Sequence, residues 1–393
     1  MAGLRPLERV FLVLVAALTA LAGLADYGAW APVPRFALAT FALAGLAWLV
    51  SFATEQLGER SGPGVTGMMQ STLGNLPELF VVIFALQKGE LVVAQTAIVG
   101  SVLANALLVL GLVIVVGARR SPDRLMRFSK RLPRDTATLL LLAVFIIVLL
   151  GLSLASHDPA SHHVDAISIV GAICLLVVYL TWVVPYLRAD RLPGAAEPAA
   201  EHGAPAPVSA AARVGAGPSP VRSPLAAPAP GRGAAAARPR PRLSLALTLA
   251  LLILGGGASA FVSDWFVNGL EPAIVILHIS QAFAGLVIVA IAGNAVENAA
   301  GLMLSYKRRS DLAISVVKNS VAQIAAFLFP ALVLISFALN TTLTFALAPV
   351  YIGALALAAL ALWQVTGDGE AAEFEGWALV ALYVILATLT LYE

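Results

Sequence analysis

The sequence has few charged residues and a single cysteine, and each shortage excludes a class of protein. Charged residues make up 12% of the 393, whereas about a quarter of the residues in a soluble domain are charged. The lone Cys174 excludes a framework of disulfide bonds within the chain. Phosphate-binding loops, zinc-protease motifs and serine-nucleophile motifs do not occur in a suitable context. We therefore predict that the protein is not an enzyme and holds no cofactor.

Hydrophobic residues take the place of the missing charge. They make up 60% of the sequence and form repeated runs of about 20 residues, long enough to cross the hydrocarbon core of a bilayer as helices. The runs do not alternate polar and apolar residues, as the strands of a membrane barrel do. This pattern predicts an all-α polytopic membrane protein.

We predict eleven transmembrane helices. Their approximate bounds are 10–25, 36–55, 64–86, 91–116, 136–155, 164–186, 243–263, 273–305, 312–338, 344–364 and 376–392. The first run follows Arg5 and Arg9, which would also suit a cleaved signal peptide. Ten further spans behind it favour a retained helix.

The basic residues predict the orientation, because cytoplasmic loops of membrane proteins are rich in Lys and Arg. With a cytoplasmic N-terminus, only Arg35, Lys88 and Lys318 of the 24 Lys and Arg residues fall outside cytoplasmic segments. The odd number of helices then places the C-terminus outside. We expect an integral protein of the inner (plasma) membrane of a prokaryotic cell.

Composition divides the chain into four segments. Residues 1–30 hold the N-terminal helix, and residues 189–242 are rich in Ala, Pro, Gly and Arg. Such a composition buries too little apolar surface to offset its ordering entropy, so we predict a disordered cytoplasmic linker there. Residues 31–188 and 243–393 then form two repeats of five helices each.

Shortening the linker 189–242 to a brief connection is expected to leave function intact. Its composition offers no apolar surface to pack, and the charges that flank the helices orient each repeat independently. Activity measured on a correctly inserted deletion variant checks this expectation. Loss of activity in that variant would assign a regulatory or lipid-binding role to the segment.

The strongest motif occurs once in each repeat. It reads Gly74-Asn-Leu-Pro-Glu78 in the first and Gly293-Asn-Ala-Val-Glu297 in the second. Each Glu lies within a hydrophobic span, where a charged side chain costs about 2.5–3.5 kcal/mol on insertion scales. Gly and Pro are poor residues for a helix interior, so we predict that each helix is interrupted here. Two buried carboxylates in matching motifs indicate an ion site rather than a structural hydrogen bond.

The motif supplies oxygen ligands on one side of each helix. Asn75 and Glu78 are three residues apart, as are Asn294 and Glu297, so each pair shares a helix face. Pro77 also leaves a backbone carbonyl one turn earlier without its usual donor. Carboxylate, amide and carbonyl oxygens suit Ca²⁺ or another hard cation. Because burial favours the protonated form of a carboxylate, the same groups can bind protons when the cation leaves.

The two motifs enter the membrane from opposite sides. In the predicted order, the third helix runs from inside to outside and the eighth from outside to inside. Inverted repeats whose interrupted helices meet at the midplane form the ion site of many secondary transporters. A gated cation channel could use the same elements, but inverted repeats favour alternating access.

The residues around both motifs carry a family resemblance. In the first half these are residues 63–79, 84–90 and 100–105, and in the second half 283–286, 293–297 and 323–325. They resemble the two signature regions of the calcium/proton exchanger family, in the calcium/cation antiporter superfamily. The resemblance covers nearly everything from the second helix onward except the linker. It implies that Glu78 and Glu297 bind the cation and protons. It also implies a supporting role for four residues on the fourth and ninth helices, Ser101, Asn105, Ser320 and Gln323.

The chain departs from the family in three places. Asn298 stands where members commonly have His, so a titratable group is missing. Lys318 lies in a segment that is usually small and uncharged, and the central linker is basic where the family often has an acidic one. The Lys318 side chain either snorkels to the cytoplasmic interface or pairs with Glu297 or Glu78 in place of a cation. We therefore predict that Asn298 and Lys318 modulate the site.

Two further carboxylates are related by the repeat. Glu55 and Asp264 end the second and seventh predicted helices. Such groups either gate the access of ions or are simply solvated, and the second case is the commoner one.

These observations predict a secondary antiporter that exports Ca²⁺ from the cytoplasm in exchange for protons. The alternatives are a Na⁺ or K⁺/proton antiporter of the same fold and a gated cation channel. The expected partners are membrane lipid and inorganic cations, not nucleic acid, and no oligomeric state follows from the sequence.

Overall fold

The computed structural model describes residues 4–58, 60, 73–129, 131–189 and 243–393. Its helices are α1 (Pro6–Tyr27), α2 (Pro32–Gly58), α3 (Leu76–Gln87), α4 (Leu91–Arg119), α5 (Arg131–Ser156), α6 (Val164–Ala189), α7 (Leu245–Leu277), α8 (Gln281–Gly293), α9 (Ala295–Tyr306), α10 (Ser310–Ser336), α11 (Pro349–Thr366) and α12 (Glu373–Leu391). A short 3-10 helix (Pro159–His163) precedes α6, and two short strands are β1 (Leu125–Arg127) and β2 (Glu370–Ala372). The predicted linker 189–242 lies outside the described residues, apart from its first residue.

The helices confirm a polytopic membrane protein but not the predicted number of spans. Within the described ranges, nine helices are long and apolar enough to cross a membrane, and the bent pair α8–α9 makes a possible tenth. The remaining element, α3, has only 12 residues, fewer than the roughly 20 that a complete span requires. The predicted residues 64–72 before it lie outside the described part of the chain.

Helix α7 corrects a predicted boundary. The sequence predicts a break between residues 263 and 273, where Asp264, Glu271 and Pro272 interrupt the apolar pattern. The structure instead has one continuous helix of 33 residues with Pro272 inside it. A proline deprives the carbonyl four residues earlier of its donor, here that of Asn268. Arg35 Nη2 on α2 donates to this carbonyl at 3.2 Å and so supplies the donor that the proline lacks.

Helices α4 and α8 cross at very close range. A Cβ atom added to Gly100 would lie 2.4 Å from the backbone oxygen of Leu286, and one added to Gly285 would lie 2.0 Å from Thr96 Oγ1. Small residues allow helix backbones to approach in this way within membranes. The crossing joins the two repeats beside Ser101 and brings both motifs into one buried region.

Three π-helical segments flank this region. They span Ala104–Val109 in α4, Ala284–Val289 in α8 and Ile324–Leu328 in α10. Such segments are rare and often occur at functional sites. The hydrophobic pattern does not predict them, because a single inserted residue hardly changes the periodicity.

A two-stranded ribbon joins the repeats at one end of the bundle. Strands β1 and β2 pair antiparallel, with Met126 opposite Ala371. Arg127 pairs with Glu370 across the ribbon, and its hydrogen bond to Asp123 holds the pKa of that carboxyl below its usual value. The sequence does not predict this ribbon, because three-residue strands leave no readable alternation.

Candidate functional site

Both motifs begin a helix in the same way. Asn75 and Asn294 directly precede α3 and α9, with φ/ψ angles of −87°/9° and −101°/15°. The predicted interruptions are present, and α8 and α9 meet at an angle of 60°. Glu78 and Glu297 consequently lie in the first helical turn, where the aligned peptide dipoles favour a negative charge.

Each motif glycine makes room for the carboxylate of the other repeat. A Cβ atom on Gly74 would lie 2.8 Å from Glu297 Oε1, and one on Gly293 would lie 3.6 Å from Glu78 Cβ. Both Glu side chains are buried. The reciprocal packing brings the carboxylates of two segments that are distant in the sequence into one site. The sequence indicated that these glycines permit close approach, but not what approaches them.

A hydrogen-bond network surrounds Glu78. Ser101 Oγ donates to Glu78 Oε1. Asn294 Nδ2 lies 3.1 Å from Ser101 Oγ and 3.4 Å from Glu78 Oε1, and Asn105 Nδ2 donates to the carbonyl of Ser101 at 2.9 Å. Four of the predicted ligands, from both repeats, are therefore in direct contact.

Several oxygens of the predicted ligands are buried without a donor. Within the described ranges, five buried oxygens of the predicted ligands have no hydrogen-bond partner, namely Glu78 Oε2, Asn105 Oδ1, Asn294 Oδ1, Ser320 Oγ and Gln323 Oε1. Leaving a buried acceptor unsatisfied costs about 1–3 kcal/mol, which a cation could offset. No cluster of three or more His, Cys, Asp or Glu side chains occurs among the described residues. The donor set therefore combines two carboxylates with amide and hydroxyl oxygens, as a hard cation requires.

The second repeat adds Ser320 and Gln323 at the end of the regular part of α10, directly before its π-helical segment. The sequence missed one neighbour of this group, Tyr179 on α6. It shares a buried apolar cluster with Ala322 and Ala326 of α10, its ring lies 5.4 Å from that of Phe327, and its hydroxyl lies beside the Gln323 side chain. An aromatic residue in an apolar span gives no signal of such a contact, because only the fold brings α6 onto α10.

Lys318 occupies neither of its two predicted positions. Its side chain is fully buried, and Nζ donates to Thr366 Oγ1 at 2.6 Å. Among the ion pairs of the described residues, none includes Lys318, so it does not pair with Glu78 or Glu297. Asn298 follows Glu297 on α9, half-buried, and its Oδ1 has no hydrogen-bond partner among those residues.

Proteins of known sequence and structure resemble this chain over nearly its whole length. The vacuolar calcium ion transporter of Schizosaccharomyces pombe is 28% identical, over 94% of this chain and 82% of its own. The Ca²⁺/H⁺ antiporter ChaA of Bacillus subtilis is 26% identical, over 97% and 98%. The solved structure of native YfkE has a TM-score of 0.73 at 24% identity, covering 98% of this chain and all of YfkE.

A second solved structure, that of the H⁺/Ca²⁺ exchanger CAX, has a TM-score of 0.70 at 13% identity and covers 98% of this chain and 93% of its own. Both structures have the same fold as this chain. The model of the sodium/calcium exchanger protein family matches residues 32–186 and 247–392, which leaves out α1 and the predicted linker. With both blocks matched, this chain belongs to the sodium/calcium exchanger protein family.

Proposed function

We propose that the protein is a secondary antiporter that exchanges Ca²⁺ for protons at the site formed by Glu78 and Glu297. The observation that carries this proposal is the reciprocal packing of the two carboxylates, surrounded by oxygens that lack a donor. The names of curated relatives, several of them Ca²⁺/H⁺ antiporters, support Ca²⁺ and protons as the two exchanged ions.

Exchange follows from exclusive occupancy of the site. Ca²⁺ binds to ionised carboxylates and neutral oxygens, so protonation of Glu78 or Glu297 removes a ligand that the ion needs. Burial makes the neutral carboxyl an accessible alternative. The site is therefore loaded with either the cation or protons, and alternating access carries each load across the membrane in turn. The cycle makes no covalent bond and uses no cofactor.

A Na⁺ or K⁺/proton antiporter is the second candidate. The observation in its favour is the buried Lys318 on α10, the helix that carries Ser320 and Gln323, since its side chain adds a positive charge there whenever it is protonated. An added positive charge weakens the binding of a divalent ion more than that of a monovalent ion. A gated channel would conduct without coupling to protons.

The arrangement in the membrane is also part of the proposal. Residues 31–188 and 243–393 are the two exchanger repeats, residues 1–30 hold an additional N-terminal helix, and residues 189–242 form the cytoplasmic linker. The two blocks of the family match, 32–186 and 247–392, support this division. The N-terminus lies in the cytoplasm, the C-terminus lies outside, and lipid of a prokaryotic inner membrane surrounds the bundle.

Uptake into proteoliposomes distinguishes the candidates. The purified protein is reconstituted, a pH gradient is imposed, and the uptake of Ca²⁺, Na⁺ and K⁺ is measured in parallel. We expect saturable Ca²⁺ uptake that reverses when the pH gradient is reversed. Uptake of Na⁺ or K⁺ without uptake of Ca²⁺ would show a Na⁺ or K⁺/proton antiporter instead. Single-channel currents would show a gated channel instead of an antiporter.

Replacing Lys318 with Ile is expected to lower the KM for Ca²⁺ severalfold or to change the number of protons exchanged per ion. The substitution removes a positive charge near the ligands on α10, and like charges repel more strongly in a low-dielectric interior. Thr366→Val is the matched control, because it removes the acceptor of the Lys318 ammonium and leaves the charge. Uptake of Ca²⁺ and Na⁺ against external pH is measured for both. Unchanged affinity, selectivity and stoichiometry in Lys318→Ile would show that Lys318 does not influence ion binding or exchange.

A further inference from the structure

Lys88 ties the end of α3 to α7. It directly follows α3, and its Nζ donates to Asp264 Oδ1 and to Asn268 Oδ1, each at 2.6 Å, and to the backbone oxygen of Asp264 at 3.2 Å. An ammonium group has three donors, and all three acceptors lie on α7. Asp264, expected from the sequence to be solvated at a helix end, lies within α7 and is paired.

A second bond holds the other end of α3 to the same helix. Ser263 Oγ on α7 donates to the backbone oxygen of Pro77 at 3.3 Å, in the protein interior. Because Glu78 follows Pro77, the helix that carries one of the two site carboxylates is attached to one point of α7 both near its beginning and directly after its end. Any displacement of α7 relative to α3 must break these bonds.

Lys88 and Asp264 each have a counterpart in the other repeat. Lys307 follows α9 as Lys88 follows α3, at the same interval from the motif Asn. The next residue has a positive φ in both turns, 83° at Gly89 and 59° at Arg308. By the predicted repeat, Glu55 on α2 is the counterpart of Asp264 on α7, and each follows a hydroxyl residue, Thr54 or Ser263. In this conformation Lys88 is paired with Asp264, whereas no ion pair among the described residues joins Lys307 to Glu55.

The two lysines lie on opposite faces of the bundle. The turn after α9 shares its face with the β1–β2 ribbon, because Ser129 N donates to Asp311 Oδ1 at 2.6 Å and Arg120 lies over the ring of Tyr306 at 4.3 Å. We call this the ribbon face, and the end that carries Lys88 the Lys88 face. Among the described residues, the Lys88–Asp264 pair therefore joins α3 to α7 on the Lys88 face, whereas other contacts, those of the ribbon included, join the repeats on the ribbon face.

We propose that Lys88 and Asp264 are positioning residues of the exchange reaction, whose ion pair keeps the Lys88 face closed by holding the Glu78 helix against α7. Lys307 and Glu55 form the equivalent pair when the ribbon face closes. The proposal rests on the proposed antiport, since only a transporter that opens each face in turn needs two such pairs. According to this proposal, bonds outside the ion site control which of the two faces is open.

The size of the effect follows from the exposure of the pair. The Lys88 and Asp264 side chains are 31% and 37% exposed, and a pair of that kind shifts an equilibrium by roughly 1.5- to fivefold. Removing it is therefore expected to change the balance between the two conformations without unfolding the protein.

Thiol labelling measures that balance without depending on transport. The exposed Cys174 is removed as Cys174→Ser, and Ser263→Cys places a reporter at a fully buried position that faces α3. The protein in liposomes is treated with a membrane-impermeant maleimide from each side. Lys88→Met and Asp264→Asn are each expected to raise the labelling rate from the Lys88 face by roughly 1.5- to fivefold. Lys88→Asp combined with Asp264→Lys is expected to restore the original rate.

Two further variants make the test specific. Arg35→Met is the matched control, because Arg35 belongs to the same polar surface but contacts Asn268 from α2 rather than from α3; its labelling rate should not change. Lys307→Met should act in the opposite direction and lower the labelling from the Lys88 face, because it removes the pair that closes the ribbon face.

The outcomes separate this proposal from the proposed function. Equal labelling in Lys88→Met, Asp264→Asn and the unaltered reporter would overturn it, as would an equal rise in Arg35→Met. A rise in both Lys88→Met and Lys307→Met would overturn the assignment of the second pair. If the labelling behaves as expected but no Ca²⁺ or proton flux occurs, the proposed ion exchange fails and the pairing of the faces stands.

Discussion

Replacing Glu297 with Gln is expected to abolish exchange, and Glu78→Gln is expected to do the same. The amide keeps the volume of the side chain, so the packing of Glu297 against Gly74 is preserved, but an amide neither binds a cation as a charged ligand nor cycles through a proton. Both variants should insert and fold, while Ca²⁺ uptake into proteoliposomes falls to the level of empty vesicles.

Glu90→Gln provides the control for this experiment. Glu90 lies on the turn between α3 and α4, where its Oε2 accepts a hydrogen bond from Gln281 Nε2 at 2.8 Å. Burial and the nearby Glu271 raise its pKa above the usual value, but it is remote from the motif. Its replacement should leave exchange in place. Transport at the original rate by either Glu78→Gln or Glu297→Gln would exclude that residue from the shared site.

The second large effect is expected for Gly100→Ala. The added methyl group would lie 2.4 Å from the backbone oxygen of Leu286 and 2.5 Å from its Cα, and neither atom belongs to a side chain that can rotate away. Helices α4 and α8 must move apart, which is expected to lower the free energy of unfolding by about 1–3 kcal/mol. Because Ser101 is the next residue, its hydrogen bond to Glu78 is disturbed and exchange should be lost or severely reduced.

Gly257→Ala separates this clash from the general effect of the substitution. Gly257 on α7 has no neighbouring atom within 4 Å of the added Cβ, and alanine in a helix is otherwise favoured over glycine by about 0.5–1 kcal/mol. Thermal unfolding in detergent and Ca²⁺ uptake should therefore be unchanged or slightly improved. An unchanged melting temperature and full exchange in Gly100→Ala would contradict the close crossing of α4 and α8.

Much of the site could be predicted because the membrane makes charge rare. Glu78 and Glu297 stand out only because nothing else in their spans is charged, and the repeated Gly-Asn before them identifies both as members of one pattern. Glu78, Ser101, Asn105 and Asn294 form one network in the structure. The same reasoning failed for Asp264 and Lys318, whose partners Lys88 and Thr366 are far away in the sequence. A charged residue in a hydrophobic span indicates that a partner is needed, but not which residue it is.

The number and bounds of the helices were also only partly predictable from the sequence. Hydropathy located most of the spans, because twenty apolar residues have few alternatives in a bilayer. It predicted a break at Asp264–Pro272, where the structure has an unbroken helix that Lys88 and Arg35 contact. It could not reveal the ribbon or the π-helical segments.

The sequence by itself therefore determined the class of protein, the approximate positions of most spans and the two carboxylates, since each follows from local composition under the constraint of a hydrocarbon solvent. Only the tertiary structure decided that Gly74 packs on Glu297 and Gly293 on Glu78, that Gly100 meets Leu286, and that one face is tied by Lys88. These are contacts between residues that are distant along the chain, and their geometry depends on how two repeats of opposite orientation close around each other.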